Sequence, residues 1–218
     1  MDNKLKVLKK RQEDIFVSLA SLLGAMAAPV RIRLIHFLSQ TPLTVEVMAS
    51  KVDQSVANTS MHIRKMLNEG LVTVESLGQK RLYTLAPEVQ IFWENYQDFA
   101  QKLDSSLVLE ASDLYGEINW VEPWSDTKKL IKSGEVCLLD VRPSDEVIDK
   151  DETDFVTHIP QSDLKTGLKN LPKKKKILVF CRGRLCALSA FSVNYLRENG
   201  FKAYRLDLSW NNLKADLL

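Results

Sequence analysis

Residues 181–186 read Cys-Arg-Gly-Arg-Leu-Cys, two thiols five positions apart with two fixed positive charges and a glycine between them. The thiolate, not the thiol, is the nucleophilic form of cysteine, and neighbouring guanidinium groups favour it. The four residues before Cys181 ("ILVF") are apolar, and those after Cys186 ("ALSAFSVNYLRENG") have helical spacing. That order places Cys181 at the C-terminal end of a buried strand just ahead of a helix. Backbone N–H groups converge there and the helix dipole is positive. Arg182 and Arg184 add charge, Gly183 lets the loop curl until amides face the sulfur, and Leu185 and Cys186 complete the loop. The sequence therefore predicts that Cys181 is held ionised. Cys137 lies inside an apolar run and reads as a buried, inert thiol.

The elements that must position this loop alternate. "VCLLDVR" (136–142), "KKILVFC" (175–181) and "AYRLD" (203–207) read as strands. Residues 125–134 read as a helix capped by Ser125 or Asp126 and closed by Gly134. Residues 187–200 read as a helix with Leu188, Phe191, Tyr195 and Leu196 inward, and 209–218 as a terminal helix. Alternating strands and helices imply an α/β fold with a parallel sheet.

The first half is different. Residues 15–30 are uncharged, but Ser18, Ser21, Gly24 and Pro29 interrupt them and Glu13 and Asp14 precede them. Leu8, Ile15, Leu19, Leu22, Leu23 and Met26 recur at helical spacing, so the reading is an amphipathic helix rather than a signal peptide. A second helix follows Pro29, with Ile32, Ile35 and Leu38 beside Val30, Leu34 and Phe37. "TVEVMASKV" (44–52) is a short helix with Val47 and Met48 inward. "SVANTSMHIRKMLNEG" (55–70) is a helix capped by Ser55, buried at Ile63, Met66 and Leu67, and stopped by Gly70. "LVTVESLGQKRLYTL" (71–85) alternates apolar and polar residues on either side of Gly78, as a β-hairpin does. Helix, helix, turn, helix, hairpin is the order of an α+β winged helix-turn-helix. In that fold the helix beginning at Ser55 enters the major groove. Its outward side carries Asn58, Ser60, Met61, Arg64 and Lys65, and the hairpin tip supplies Gln79, Lys80 and Arg81 for phosphates or the minor groove. His62 reads as a packing residue. Residues 29–85 hold seven Lys/Arg against four Asp/Glu, a net +3 of the sign that DNA requires. Val89, Phe92, Trp93, Tyr96, Phe99, Leu103 and Leu107 form one aromatic-rich stripe which, with the first helix, suits a homodimer seam.

The stretches "APVRIRLIHFLS", "LTVEVMASKV", "SVANTSMHIRKMLNEGLV" and "GQKRLYTL" resemble the ArsR-type winged-helix regulators. The resemblance implies a homodimer that binds operator DNA and responds to an effector. Many such regulators hold metal through cysteines on the helix before the recognition helix, but the first half here has no cysteine. The stretches "LLDVRPSDE", "HIP", "LPKKKKILVFCRG" and "LRENGFKAYRL" resemble a rhodanese domain. That resemblance makes Cys181 the residue that takes sulfane sulfur as a persulfide, with Arg182 to Cys186 forming the loop around it. It makes Asp140, Arg142 and Glu146 framework charges and His158 structural. The sixth position after Cys181 is Ala187, so the C-x5-R loop of phosphoryl chemistry is absent. Cys186 has two readings that stay open, a second thiol that attacks a Cys181 persulfide or a small inward-packing residue. The departures from the family pattern are Thr157 for the usual glycine, a longer connection over 145–160, and Leu208-Ser209 before Trp210.

The expected organisation is a winged-helix and dimerisation domain over 1–110, a linker over 111–124 and a rhodanese-like domain over 125–218. The net charge of +2 confines any nucleic-acid surface to a local patch. Three cysteines are too few for a disulfide framework and fit a reducing cytoplasm. The functional expectation is a cytoplasmic transcriptional regulator whose partners are operator DNA, a second copy and a small sulfur donor, with no cofactor, metal or membrane. One alternative is a sulfurtransferase merely tethered to DNA. A weaker one is a metal or arsenite sensor using Cys181 and Cys186.

Overall fold

The computed structural model describes residues 3–107, 111–147 and 155–217 and divides into two compact units, Met1–Phe99 and Ala100–Leu218. The first runs α1 (Asn3–Met26), α2 (Pro29–Leu38), α3 (Val45–Val52), α4 (Val56–Asn68), β1 (Val72–Leu77), β2 (Lys80–Leu85) and α5 (Pro87–Leu103), the last crossing the division between the units. Ser55 caps α4 by accepting from the Asn58 amide at 3.2 Å, and Thr44 caps α3. The hairpin strands are antiparallel, with Leu77 opposite Lys80. Its two-residue turn begins at Gly78, whose φ of +62° favours a residue without Cβ. Leu34, Ile35, Met48, Val52, Ile63, Met66, Val72 and Trp93 close one core.

Three expected faces differ. Val47 points outward at 37% exposure, and Met48 takes the inward place. In α1 only Ala25 is buried, while Leu8, Ile15, Leu19, Leu22 and Leu23 are exposed. In α5 only Val89 and Trp93 are buried, and Phe92, Tyr96, Phe99 and Leu103 are exposed. The small core behind the hairpin has room for one turn of each helix, and the rest of each stripe is left uncovered. No single helix among the described residues is long and apolar enough to cross a membrane, although α1 and α2, bent by 80°, pass together on length and composition.

The second unit runs α6 (Ser112–Tyr115), α7 (Trp124–Lys132), β3 (Val136–Asp140), β4 (Val156–His158), α8 (Leu164–Gly167), β5 (Lys176–Cys181), α9 (Ala187–Glu198), β6 (Lys202–Ser209) and α10 (Trp210–Leu217). The cap of α7 is Pro123, not Ser125 or Asp126. Residues 111–124, expected as a linker, contribute Ala111 and Ile118 to the core and a bridge from Asn119 to Arg205. The sheet is parallel with order β4-β3-β5-β6. β5 is buried on both faces: Ile177, Val179 and Cys181 face one cluster, Leu178 and Phe180 the other. Helix α9 buries Ser189, Ala190, Ser192, Val193 and Leu196, and Phe191, expected inward, is half exposed. Small side chains let the helix approach the sheet closely, and the larger residues fall to its flanks. Residues 148–154 of the long connection over 145–160 lie outside the described residues.

Strand order reverses between β3 and β5, so the segments leaving their C-terminal ends diverge and open a crevice. Asp140 and Arg142, both about 2% exposed or less, form a bidentate pair there, with Arg142 Nη2 2.7 Å from Asp140 Oδ2. His158 Nε2 donates to the Arg142 carbonyl at 2.9 Å, which supports the structural part expected of it. We predict that Asp140→Asn, by leaving a buried guanidinium uncompensated, destabilises the second unit by about 3–5 kcal/mol. The shift of its urea midpoint relative to wild type measures this.

Candidate functional site

The single turn Ser144–Glu146 follows β3, and Arg142 Nη1 holds it by donating to the Glu146 carbonyl. The Glu146 carboxylate is 1% exposed and turns across the crevice to Arg182, accepting from Nε at 2.6 Å and from Nη2 at 2.7 Å. With two nitrogens fixed in this fork, the third, Nη1, lies 3.5 Å from the Cys186 sulfur. Burial works against the Arg182 charge, but the hydrogen bonds and charge of Glu146 outweigh it and raise the guanidinium pKa.

The two sulfurs are treated unequally. Cys181 is 1% exposed and Cys186 3%. Burial, followed by the hydrogen bond to Cys186 and the charge there, pushes the Cys181 thiol well above its ordinary range. Cys181 Sγ lies 3.3 Å from Ser189 Oγ and 3.7 Å from the Cys186 carbonyl. Ser189 Oγ also accepts from Arg205 Nε at 3.2 Å, and its own hydroxyl faces the Cys186 carbonyl at 3.5 Å. The Cys186 carbonyl accepts from Cys181, while the Ser189 hydroxyl and backbone N–H favour its thiolate without overcoming burial. For Cys186 the hydrogen bond from Cys181 is the largest influence, burial opposes it, and the Arg182 charge and the N–H dipoles of Arg182 and Leu188 assist. The result is a pKa held down to about 6. The expectation that Arg182 and Arg184 ionise Cys181 is thus corrected, because burial pushes the Cys181 thiol up and Arg182 Nη1 stands beside Cys186. Arg184 donates to Gln101 of the same unit at 2.7 Å, and its carbonyl accepts from Arg205.

The backbone of the loop behaves as expected. Gly183 has φ +96°, and a Cβ there would stand 3.5 Å from the Ser209 side chain. Arg182 bridges to Ser209 and closes the loop onto the end of β6. Leu185, 42% exposed, forms its crest. Burial raises the pKa of Cys137, whose sulfur lies 3.8 Å from Thr157 Oγ1.

In the first unit a cleft of about 790 Å³ opens between α3, α4 and the hairpin, lined among others by Ser60, Arg64, Gln79, Lys80 and Arg81. The structure therefore brings together five of the nine residues expected at DNA, and adds Glu46 to their rim. Met61, Arg64 and Lys65 are exposed on α4. Ser55 is the helix cap, and Asn58 Nδ2 donates to Gln54 Oε1 at 2.6 Å. His62 Nδ1 accepts from Arg31 Nη1 at 3.2 Å; burial first and the Arg31 charge second lower its pKa, as befits a neutral packing histidine.

A family described as "Helix-turn-helix domain" matches residues 26–75, and one described as "Rhodanese-like domain" matches residues 124–216. The chain is a winged helix-turn-helix domain fused to a rhodanese-like domain. A relative spanning both is the HTH-type transcriptional regulator Rv0324 of Mycobacterium tuberculosis, 25% identical over 92% of this chain and 90% of its own. The helix-turn-helix domain is also similar to the homodimeric winged helix-turn-helix DNA-binding domain of Mb0332 from Mycobacterium bovis, at 21% identity. That match covers 44% of this chain and 90% of that one, with a TM-score of 0.41. HlyU from Vibrio cholerae is 26% identical over 44% of this chain and 97% of its own, with a TM-score of 0.37.

Within the rhodanese-like domain the sequence reading missed Ser189 and Arg205 and assigned Glu146 to the framework. Arg205 carries a signal of its own, a charge in the middle of a strand flanked by apolar residues, which can only be buried with partners. The fork on Arg182 leads to a spectroscopic prediction. Thiolate absorbance of the folded protein should be absent well below pH 6 and appear as pH rises through about 6. Cys186→Ser should abolish that step, and absorbance at 240 nm followed against pH checks it.

Proposed function

We propose that the chain is an ArsR-type transcriptional regulator that binds operator DNA as a homodimer, and that its rhodanese-like domain takes sulfane sulfur at the Cys181–Cys186 loop and so alters DNA affinity. The observation that carries the chemical half is the pair of buried thiols in one loop, with a guanidinium 3.5 Å from one sulfur. Such a pair can carry or exchange sulfur, and the helix-turn-helix domain contains no cysteine that would do so instead.

The DNA half rests on α4 and the hairpin, where Arg64, Lys80 and Arg81 line one cleft and Lys65 is exposed on α4. The name of the M. tuberculosis relative, which spans both domains, agrees with it. The homodimer is supported by the uncovered stripes of α1 and α5, since apolar faces of that extent call for a partner. Free thiols with this chemistry belong in a reducing compartment, which favours the cytoplasm.

Arg64→Ala is expected to weaken binding of operator DNA by about 1–3 kcal/mol without affecting the fold, as read by fluorescence anisotropy at fixed salt. The decisive titration adds hydrogen polysulfide to wild type, Cys181→Ser and Cys186→Ser. Wild-type affinity should change by about 5–150-fold, the usual range of coupling between two sites, and both serine variants should respond less. Identical curves for all three proteins overturn the sensing role. Turnover of thiosulfate and cyanide with DNA affinity unmoved replaces it with a tethered sulfurtransferase.

A further inference from the structure

Ser189, the third residue of α9 and 1% exposed, holds its hydroxyl oxygen 3.3 Å from Cys181 Sγ. The same oxygen accepts from Arg205 Nε at 3.2 Å. Arg205 comes from the middle of β6, is 2% exposed and is itself held. Its Nη2 donates to the Arg184 carbonyl at 2.7 Å and lies 3.1 Å from Asp207 Oδ1. With Nη2 anchored on the loop and on the strand, Nε is aimed at the serine. A hydroxyl has one hydrogen and two lone pairs, and a guanidinium has no lone pair to offer. Arg205 therefore occupies one side of the oxygen and leaves the Ser189 hydrogen two destinations, the Cys181 sulfur and the Cys186 carbonyl at 3.5 Å. While Cys181 is a thiol, its own hydrogen faces the serine oxygen or that carbonyl. Once the sulfur is anionic it has no hydrogen to give, and the hydroxyl turns to donate to it. We propose that the Ser189 hydroxyl is the side-chain donor to the Cys181 sulfur anion during sulfur uptake, and that Arg205 is a positioning residue acting through Ser189. This deepens the sulfur-sensing reading and rests on it, with Cys181 as the acceptor.

For a small donor such as thiosulfate or hydrogen polysulfide the step balances without an oxidant. The Cys181 sulfur attacks the sulfane sulfur, one S–S bond forms and the donor's S–S bond breaks. Sulfite, or the shortened polysulfide, leaves with the electron pair and takes up the Cys181 proton. Cys181 then carries one added sulfur as a persulfide anion. The serine gains and loses no atom. It reverses its hydrogen bond, accepting from the thiol before the proton departs and donating to the sulfur afterwards, and so lowers the cost of a charge that burial opposes.

The three cysteines fall on three tryptic peptides, so alkylation of each is followed in one digest of the full-length protein. Below the raised pKa of Cys181, its rate of reaction with iodoacetamide is proportional to its thiolate fraction. Ser189→Ala should slow alkylation of Cys181 about ten-fold or more at each pH, the usual worth of a hydrogen bond to a charged group. Persulfide formation from thiosulfate or hydrogen polysulfide, under anaerobic conditions, should slow by a similar factor. Ser189→Thr, which keeps the hydroxyl, should recover part of the loss. A merely structural role has the opposite sign, because loosening a buried site speeds the reagent's access, and Cys137 on its own peptide reports such loosening. Arg205→Lys keeps the charge but offers one nitrogen in place of the fork. It should slow Cys181 in the wild-type background, and by less than about two-fold in the Ser189→Ala background, the non-additivity of residues that act in series. If Arg205→Lys does not fold, Arg205→Gln takes its place in the cycle. Cys181 alkylated in Ser189→Ala as fast as in wild type, or faster, overturns the donor role, while sulfur still arriving at Cys181 leaves the sensing reading intact. Equal slowing by Arg205→Lys in both backgrounds overturns its action through Ser189. Donors that leave no sulfur on either loop cysteine of the wild type overturn both readings.

Discussion

A carboxylate and a guanidinium meeting across the crevice between β3 and β5 govern the second unit. Glu146 comes from the turn after β3 and Arg182 from the loop after β5, so their fork ties the two diverging segments of the sheet to each other. A buried pair of this kind adds little net stability over an apolar substitute, but it fixes geometry. Here it fixes which nitrogen remains for a sulfur. The Asp140–Arg142 pair serves a prior purpose, since Arg142 holds the turn that bears Glu146. Trp210, against which the Arg142 guanidinium lies at 5.9 Å, braces the pair from α10.

Much of this was legible in the residues. Two alternating strands that end in charge located the crevice, and the helix order with the Gly78 turn located the winged hairpin. Element types follow from local periodicity, which a sequence displays directly. The faces of α1, α5 and α9 were less legible, because apolar spacing says which side is hydrophobic and not whether anything covers it. In α9 the buried side is made of Ser189, Ala190, Ser192 and Val193, small residues whose selection reflects the distance to the sheet and leaves no hydrophobic signature. The assignment of charge between the sulfurs was illegible for a related reason. Sequence placed two arginines next to Cys181, but a side chain reaches where its partner draws it, and Glu146, 36 positions away, draws Arg182 toward Cys186.

The two units divide their chemistry cleanly. All three cysteines lie in the second, while the first offers a polar cleft and two uncovered apolar stripes. On the proposed function the first unit is the part that is bound, by nucleic acid and by a like chain, and the second the part that is modified. Under that proposal, joining them in one polypeptide gives a covalent event on a sulfur the same stoichiometry as the DNA-binding unit, one for one.

Both sulfurs lie beneath the protein surface, with only the crest at Leu185 well exposed. Depth of that kind acts as a sieve. If the loop takes sulfur as proposed, a recess of this depth favours an inorganic anion a few atoms across over a bulky persulfide. On that proposal the loop sorts reagents by girth before any difference in their reactivity is felt.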